Sequence, residues 1–171
     1  MLKKFLSRFL DSKRKEPTVE EVVAHVEKGG SFMRVVPPQE EALRANAESL
    51  MEQASQHMQQ KQYENAADIL SEVLRVFPNH FGAYINRGNA YNLSGASEKA
   101  IEDYRRAIAI NPSYYLAHVN LASVFVSLGR KEDALKLYKD VLSMIPPNRE
   151  NDIKEINRLI DDLHKYDRTG T

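Results

Sequence analysis

Five histidines, several adjacent carboxylates and a set of asparagines are the residues of this chain with chemistry to offer. A metal site needs ligands at short, regular spacing on one element or hairpin, and His25, His80 and His164 stand far apart in separate segments. The chain has no cysteine, which excludes disulfides and thiolate ligands. No serine or lysine sits in a recognisable nucleophile motif, and no glycine loop is built to cradle phosphate. Glu102 with Asp103, Glu132 with Asp133 and Asp161 with Asp162 read most simply as solvated helix faces. The expectation is therefore no catalytic residue, no metal, no cofactor and no enzyme activity. Basic and acidic residues balance at 24 each, so nucleic acid is not an expected partner. What remains is the side-chain amide, as at Asn86, Asn89 and Asn120. It offers one acceptor oxygen and two N–H donors, the complement of a peptide main chain.

The elements that would position these groups follow from a repeat. Pro78, Pro112 and Pro146 are each 34 residues apart. The same offset relates Ala66, Ala100 and Ala134; Leu70, Tyr104 and Tyr138; and Val73, Ala107 and Val141. It also relates the small residues Ala54, Gly88 and Ala122 to one another, and likewise His57, Tyr91 and Phe125. Many columns holding one period over three copies mark a repeat architecture. His57 and His118 fall in columns that hold aromatic or aliphatic residues in the other copies, so both read as packing residues. Within the middle copy, Tyr84, Gly88 and Tyr91 share one face of a first helix. Gly95 permits a tight turn. Ala100, Ile101, Tyr104, Ala107 and Ile108 mark the packed face of a second helix, which Asn111 and Pro112 stop.

The words Tyr63-Glu64-Asn65-Ala66, Gly88-Asn89-Ala90-Tyr91 and Leu121-Ala122-Ser123-Val124-Phe125 resemble the tetratricopeptide-repeat family. The first copy departs furthest from the pattern, as a terminal repeat does; Gln53 and Arg87 replace the leucine kept as Leu121. The resemblance implies an all-α solenoid of antiparallel helix hairpins, wound as a right-handed superhelix. Its repeats span 47–80, 81–114 and 115–148, within a repeat region of 46–148. A capping helix over 149–167 should follow, with Asn148 as its cap and Ile153, Ile156, Ile160 and Leu163 as its apolar stripe. Residues 168–171 form a frayed tail.

The resemblance also implies where a partner would sit, since the first helix of each pair lines the concave surface in this family. The groove residues are then Met51, Ser55, Asn86, Asn89, Asn120 and Ser123. Asn86 and Asn120 occupy equivalent positions and resemble the asparagine row with which some family members hold extended peptides. The alternative is that these amides simply solvate the surface. Family members that grip the C-terminal carboxylates of chaperones need lysine and asparagine on the first helix, asparagine on the third, and lysine and arginine on the fifth, at positions matching Met51, Ser55, Asn86, Leu116 and Asn120. Here only Asn86 fits and every required positive charge is missing, so such a tail is not an expected partner. The expected function is an adaptor that captures a protein partner, as a peptide segment or a helix.

Ahead of the repeats, residues 1–16 place Leu2, Phe5, Leu6, Phe9 and Leu10 at helical spacing. Lys3, Lys4, Arg8, Lys13, Arg14 and Lys15 stand against Asp11 and Glu16. Such a basic amphipathic helix docks on a protein, lies on an anionic membrane surface, or serves as an organellar presequence. Residues 17–45 read as a linker. It holds a short helix opened by Thr18 and Glu21, an extended piece at 31–36 whose course into the groove is left open, and a first repeat helix beginning near Gln39. No stretch approaches the roughly 18 apolar residues of a spanning helix, so a cytoplasmic protein, with or without peripheral attachment, is expected. An accessory subunit of a membrane-associated assembly or secretion machine, acting through the N-terminal helix, is the alternative function.

Overall fold

Amphipathic runs separated by prolines 34 residues apart fold as helical hairpins, because only stacked neighbours cover each apolar face. The computed structural model describes residues 38–169, with side chains described for 41–165. The expectations for the basic helix, the Thr18 cap and the extended piece at 31–36 lie outside these residues. Seven helices follow in order: α1 Pro38–Gln59, α2 Tyr63–Val76, α3 Phe81–Leu93, α4 Ser97–Ile110, α5 Tyr115–Ser127, α6 Lys131–Met144 and α7 Glu150–Thr169. There is no strand among the described residues. Helices α1 to α6 form the three expected pairs, and α7 caps the last one.

The repeat extends to backbone detail. The turn residues Lys61, Gly95 and Gly129 share one column, and all are left-handed, with φ of 60°, 83° and 71°. In each copy the next amide reaches back to the first helix: Gln62 to His57, Ala96 to Tyr91 and Arg130 to Phe125, at 2.9, 2.8 and 2.8 Å. These bonds satisfy carbonyls that the helix end would leave open. Glycine adopts that backbone freely, whereas Lys61 holds it against its own Cβ. The second helices end alike, with the amides of Phe77, Asn111 and Ile145 donating to Val73, Ala107 and Val141 just before each proline. His80 caps α3, its Nδ1 accepting from the Ala83 amide at 3.0 Å.

Small residues set the helix crossings. Ala54, Ala66, Ala100, Ala122 and Ala134 are all buried. At Gly88 a Cβ would lie 2.8 Å from Cε1 of the Tyr104 ring, so α3 and α4 approach too closely for any side chain there. Tyr91 packs against both the cluster built on α1 to α3 and the one running from α4 to α7, which makes the interior continuous along the stack. At the far end Ile156 is buried and Ile153, Leu159, Ile160 and Leu163 pack beside it. Asn148 does not cap α7: it lies in the turn, and the first helical amides, of Asp152 and Ile153, bond to the Arg149 carbonyl. Arg149 and Tyr115 both converge on the Asp152 carboxylate, fastening α7 to α5. Those two hydrogen bonds, Tyr115's first, hold Asp152 below the usual carboxylate range.

Candidate functional site

The first helices α1, α3 and α5 carry the residues that sequence assigns to a groove. Two clefts open between α1 and α3. The wider is lined by Arg44, Ala47, Glu48, Met51, Glu52 and Asn86, with Phe77 and His80 from the preceding loop. The narrower has Ala54, Met58 and Leu70 as apolar lining, with Ser55, Asn86 and Asn89. Asn86 borders both, so Met51, Ser55, Asn86 and Asn89 come together on one surface. Asn120 joins them from α5, its Nδ2 donating to Asn89 Oδ1 at 3.2 Å. Ser123 is exposed one turn further along α5 and lines neither cleft.

The asparagines are not equivalent in their surroundings. Asn86 is exposed, whereas Asn89 and Asn120 are half-buried and bonded to each other. Tyr104 completes the arrangement from α4: its hydroxyl donates to Asn89 Oδ1 at 2.7 Å. Burial raises the Tyr104 phenol pKa further above its ordinary value, itself already well above neutral, and the hydroxyl is a donor at neutral pH. Spacing alone could not reveal this cluster, because Asn89 and Asn120 are not one repeat apart.

A further expectation requires correction. Asp103 is no solvated helix face; it is 3% exposed. Arg87 grips it with both ends of its guanidinium, Nε to Oδ2 at 2.8 Å and Nη2 to Oδ1 at 2.7 Å. The third donor, Nη1, reaches Ser71 Oγ at 2.9 Å, tying α2, α3 and α4 together. The guanidinium also lies 5.6 and 5.8 Å from the ring centres of Tyr84 and Tyr91. The hydrogen bond to Asp103 raises the Arg87 pKa against the opposing effect of burial. With three of its N–H groups bonded inside the stack, this guanidinium is architectural. Arg87 stands where the third copy has Leu121, and Asp103 where it has Leu137. An ion pair thus replaces an apolar pair, and the two columns, read together, were the signal.

His118 is buried, as its column suggested, and His57 Nδ1 meets Gln62 Oε1 at 2.5 Å at the end of α1. Among the described residues no group of three or more His, Cys, Asp or Glu is placed to hold a metal. No helix among them is long and apolar enough to cross a membrane.

Residues 48–80, 82–114 and 117–151 each match a tetratricopeptide-repeat family model, together more than half of the chain. The chain belongs to the tetratricopeptide-repeat family, a class of generally non-catalytic protein–protein interaction modules. Among solved structures, it is similar to the first repeat domain of human RPAP3, with 26% identity and a TM-score of 0.58. That likeness covers 70% of this chain and 95% of the other. The Spaghetti (RPAP3) domain bound to the HSP90 peptide SRMEEVD is 27% identical, covering 67% and 93%, with a TM-score of 0.57. A likeness in fold alone extends to the Yersinia enterocolitica secretion chaperone SycD bound to a peptide of the translocator YopD. There identity is 14%, coverage 72% and 95%, and the TM-score 0.66. No curated protein is significantly similar in sequence.

Proposed function

We propose that this protein is a non-catalytic adaptor that holds a segment of a partner protein along α1, α3 and α5. The observation that carries this reading is the convergence of Met51, Ser55, Asn86, Asn89 and Asn120 on one surface with two clefts. Apolar linings at Met51, Met58 and Leu70 suit side chains, while amides beside them suit a main chain. The similar Spaghetti domain, bound to a peptide, supports a peptide segment as the kind of partner. An acidic chaperone tail fits poorly. The positions that would clamp its carboxylates carry Met51, Ser55, Leu116 and Asn120, and Arg44 shares the wider cleft with Glu48 and Glu52. Affinity capture with wild-type protein beside Asn86→Ala/Asn120→Ala tests the groove. Each amide contact is worth about 0.5–1.5 kcal/mol, so the double variant should lose partner that wild type retains. Equal recovery of the same proteins by both refutes the groove.

A second reading concerns attachment. The stripe Leu2, Phe5, Leu6, Phe9 and Leu10, with Lys3, Lys4 and Arg8 beside it, has the composition of a helix that binds anionic membranes reversibly. Full-length protein should then float with anionic vesicles at low salt and stay behind once residues 1–15 are removed. Indifference to anionic vesicles would reject lipid in favour of a protein contact.

A further inference from the structure

Tyr104 and Asn120 share a single acceptor atom on Asn89. Asn89 Oδ1 receives the Tyr104 hydroxyl at 2.7 Å and Asn120 Nδ2 at 3.2 Å. The oxygen and nitrogen of an amide are nearly alike in shape, so a reversed network, with Asn89 donating to both neighbours, has the same outline. Tyr104 breaks the tie. Its side chain is 1% exposed, and its hydroxyl has no other hydrogen-bond partner among the described residues. Reversal would bury an O–H with nothing to accept it, which native interiors avoid. A phenol keeps its hydrogen across the neutral range, and burial only reinforces this.

The consequence reaches the groove. With its oxygen engaged, Asn89 keeps both hydrogens of Nδ2, and Asn120 keeps Oδ1. Neither atom is buried away from solvent, and Asn89 borders the narrower cleft beside Ser55 and Asn86. We propose that Tyr104 is a positioning residue for the groove: it locks Asn89 as a donor and Asn120 as an acceptor, so that the groove recognises an extended main chain offering a carbonyl to the first and an N–H to the second. The proposal rests on the groove reading above and adds to it the polarity of recognition. It also assigns a binding role to a side chain rooted in the second helix of its repeat. Asn86, exposed and without such a bond, is free to adapt to either group.

The test uses the full-length protein and short random peptides displayed on phage, the selected peptide then being synthesised for titration. Asn89→Ala should weaken it. Asn89→Asp should weaken it as well, although an aspartate still accepts from Tyr104 and Asn120, because the donor facing the cleft is gone. Tyr104→Phe removes only the lock, and should lower affinity about 2- to 10-fold while the thermal midpoint moves little. Wild-type affinity in Asn89→Asp, or in Tyr104→Phe that remains folded, overturns the proposal. Should Tyr104→Phe unfold, Asn89→Asp decides alone. Failure of the underlying reading looks different: no peptide is selected, or the selected peptide is indifferent to Asn86→Ala/Asn89→Ala together, and both ideas fall.

Discussion

Replacing Arg87 by leucine would give the second repeat the residue that the third carries at Leu121, yet it should damage the protein. The change strands the Asp103 carboxylate, 3% exposed, without the two donors that reach it at 2.7 and 2.8 Å. Breaking one side of a buried ion pair costs about 3–5 kcal/mol. The Arg87 side chain is 20% exposed, so solvent can relieve part of this, and a loss near the lower end, about 3 kcal/mol, is expected. Asp103→Leu should cost less, about 1–2 kcal/mol, because an arginine at the margin can turn its charge toward water. The double variant Arg87→Leu/Asp103→Leu recreates the apolar pair of Leu121 and Leu137 and leaves no charge stranded. Ser71 retains its bond to the Ala67 carbonyl at 2.8 Å. Buried ion pairs exchanged for apolar residues of similar size are often neutral or stabilising, so the double variant should lie within about 1 kcal/mol of wild type. Urea unfolding of all four proteins measures the cycle, and the coupling should be favourable by about 3 kcal/mol or more. A double variant as unstable as Arg87→Leu alone would refute the argument that the two columns face each other as interchangeable partners.

Other consequences are simpler to check. Gly88→Ala should gain about 1 kcal/mol of helix propensity but force a methyl to 2.8 Å from the Tyr104 ring, an overpacking worth about 1–3 kcal/mol; a lowered melting midpoint is expected, and a raised one would show that the ring yields. Lys61→Gly relieves the one left-handed turn position that lacks glycine, and should stabilise by up to about 1 kcal/mol in urea titrations. Asp152 has a folded pKa below its unfolded value, so its contribution is complete above about pH 4 and is lost as pH falls through the folded value. Hydrogen-exchange protection at the start of α7, taken relative to the intrinsic rate at each pH, should therefore fall in acid, and Asp152→Asn should remove that pH dependence.

The repeat was legible because its cause is local. A helix hairpin needs small residues at its crossing, a residue tolerant of left-handed backbone at its turn and a stop at its end, and all three recur every 34 residues. The helix expected to begin near Gln39 begins at Pro38, and proline suits a first helical position. Lys61 carries no residue-type signal for a left-handed turn; only its column, shared with Gly95 and Gly129, marks it.

What sequence determined, then, is the set of helices, their pairing and the face each turns inward, since periodicity states which residues of one helix lie together. It says nothing of which residues of different helices meet, because that depends on how far neighbours slide and rotate as they stack. Asp103 looked solvated beside Glu102, until α3 brought Arg87 over it. Asn86 and Asn120 are equivalent positions one period apart, a relation that says nothing of the bond by which the offset between α3 and α5 joins Asn120 to Asn89. Only tertiary packing could hold Tyr104 beneath that pair, because a buried hydroxyl must find its acceptor wherever the neighbouring helix supplies one.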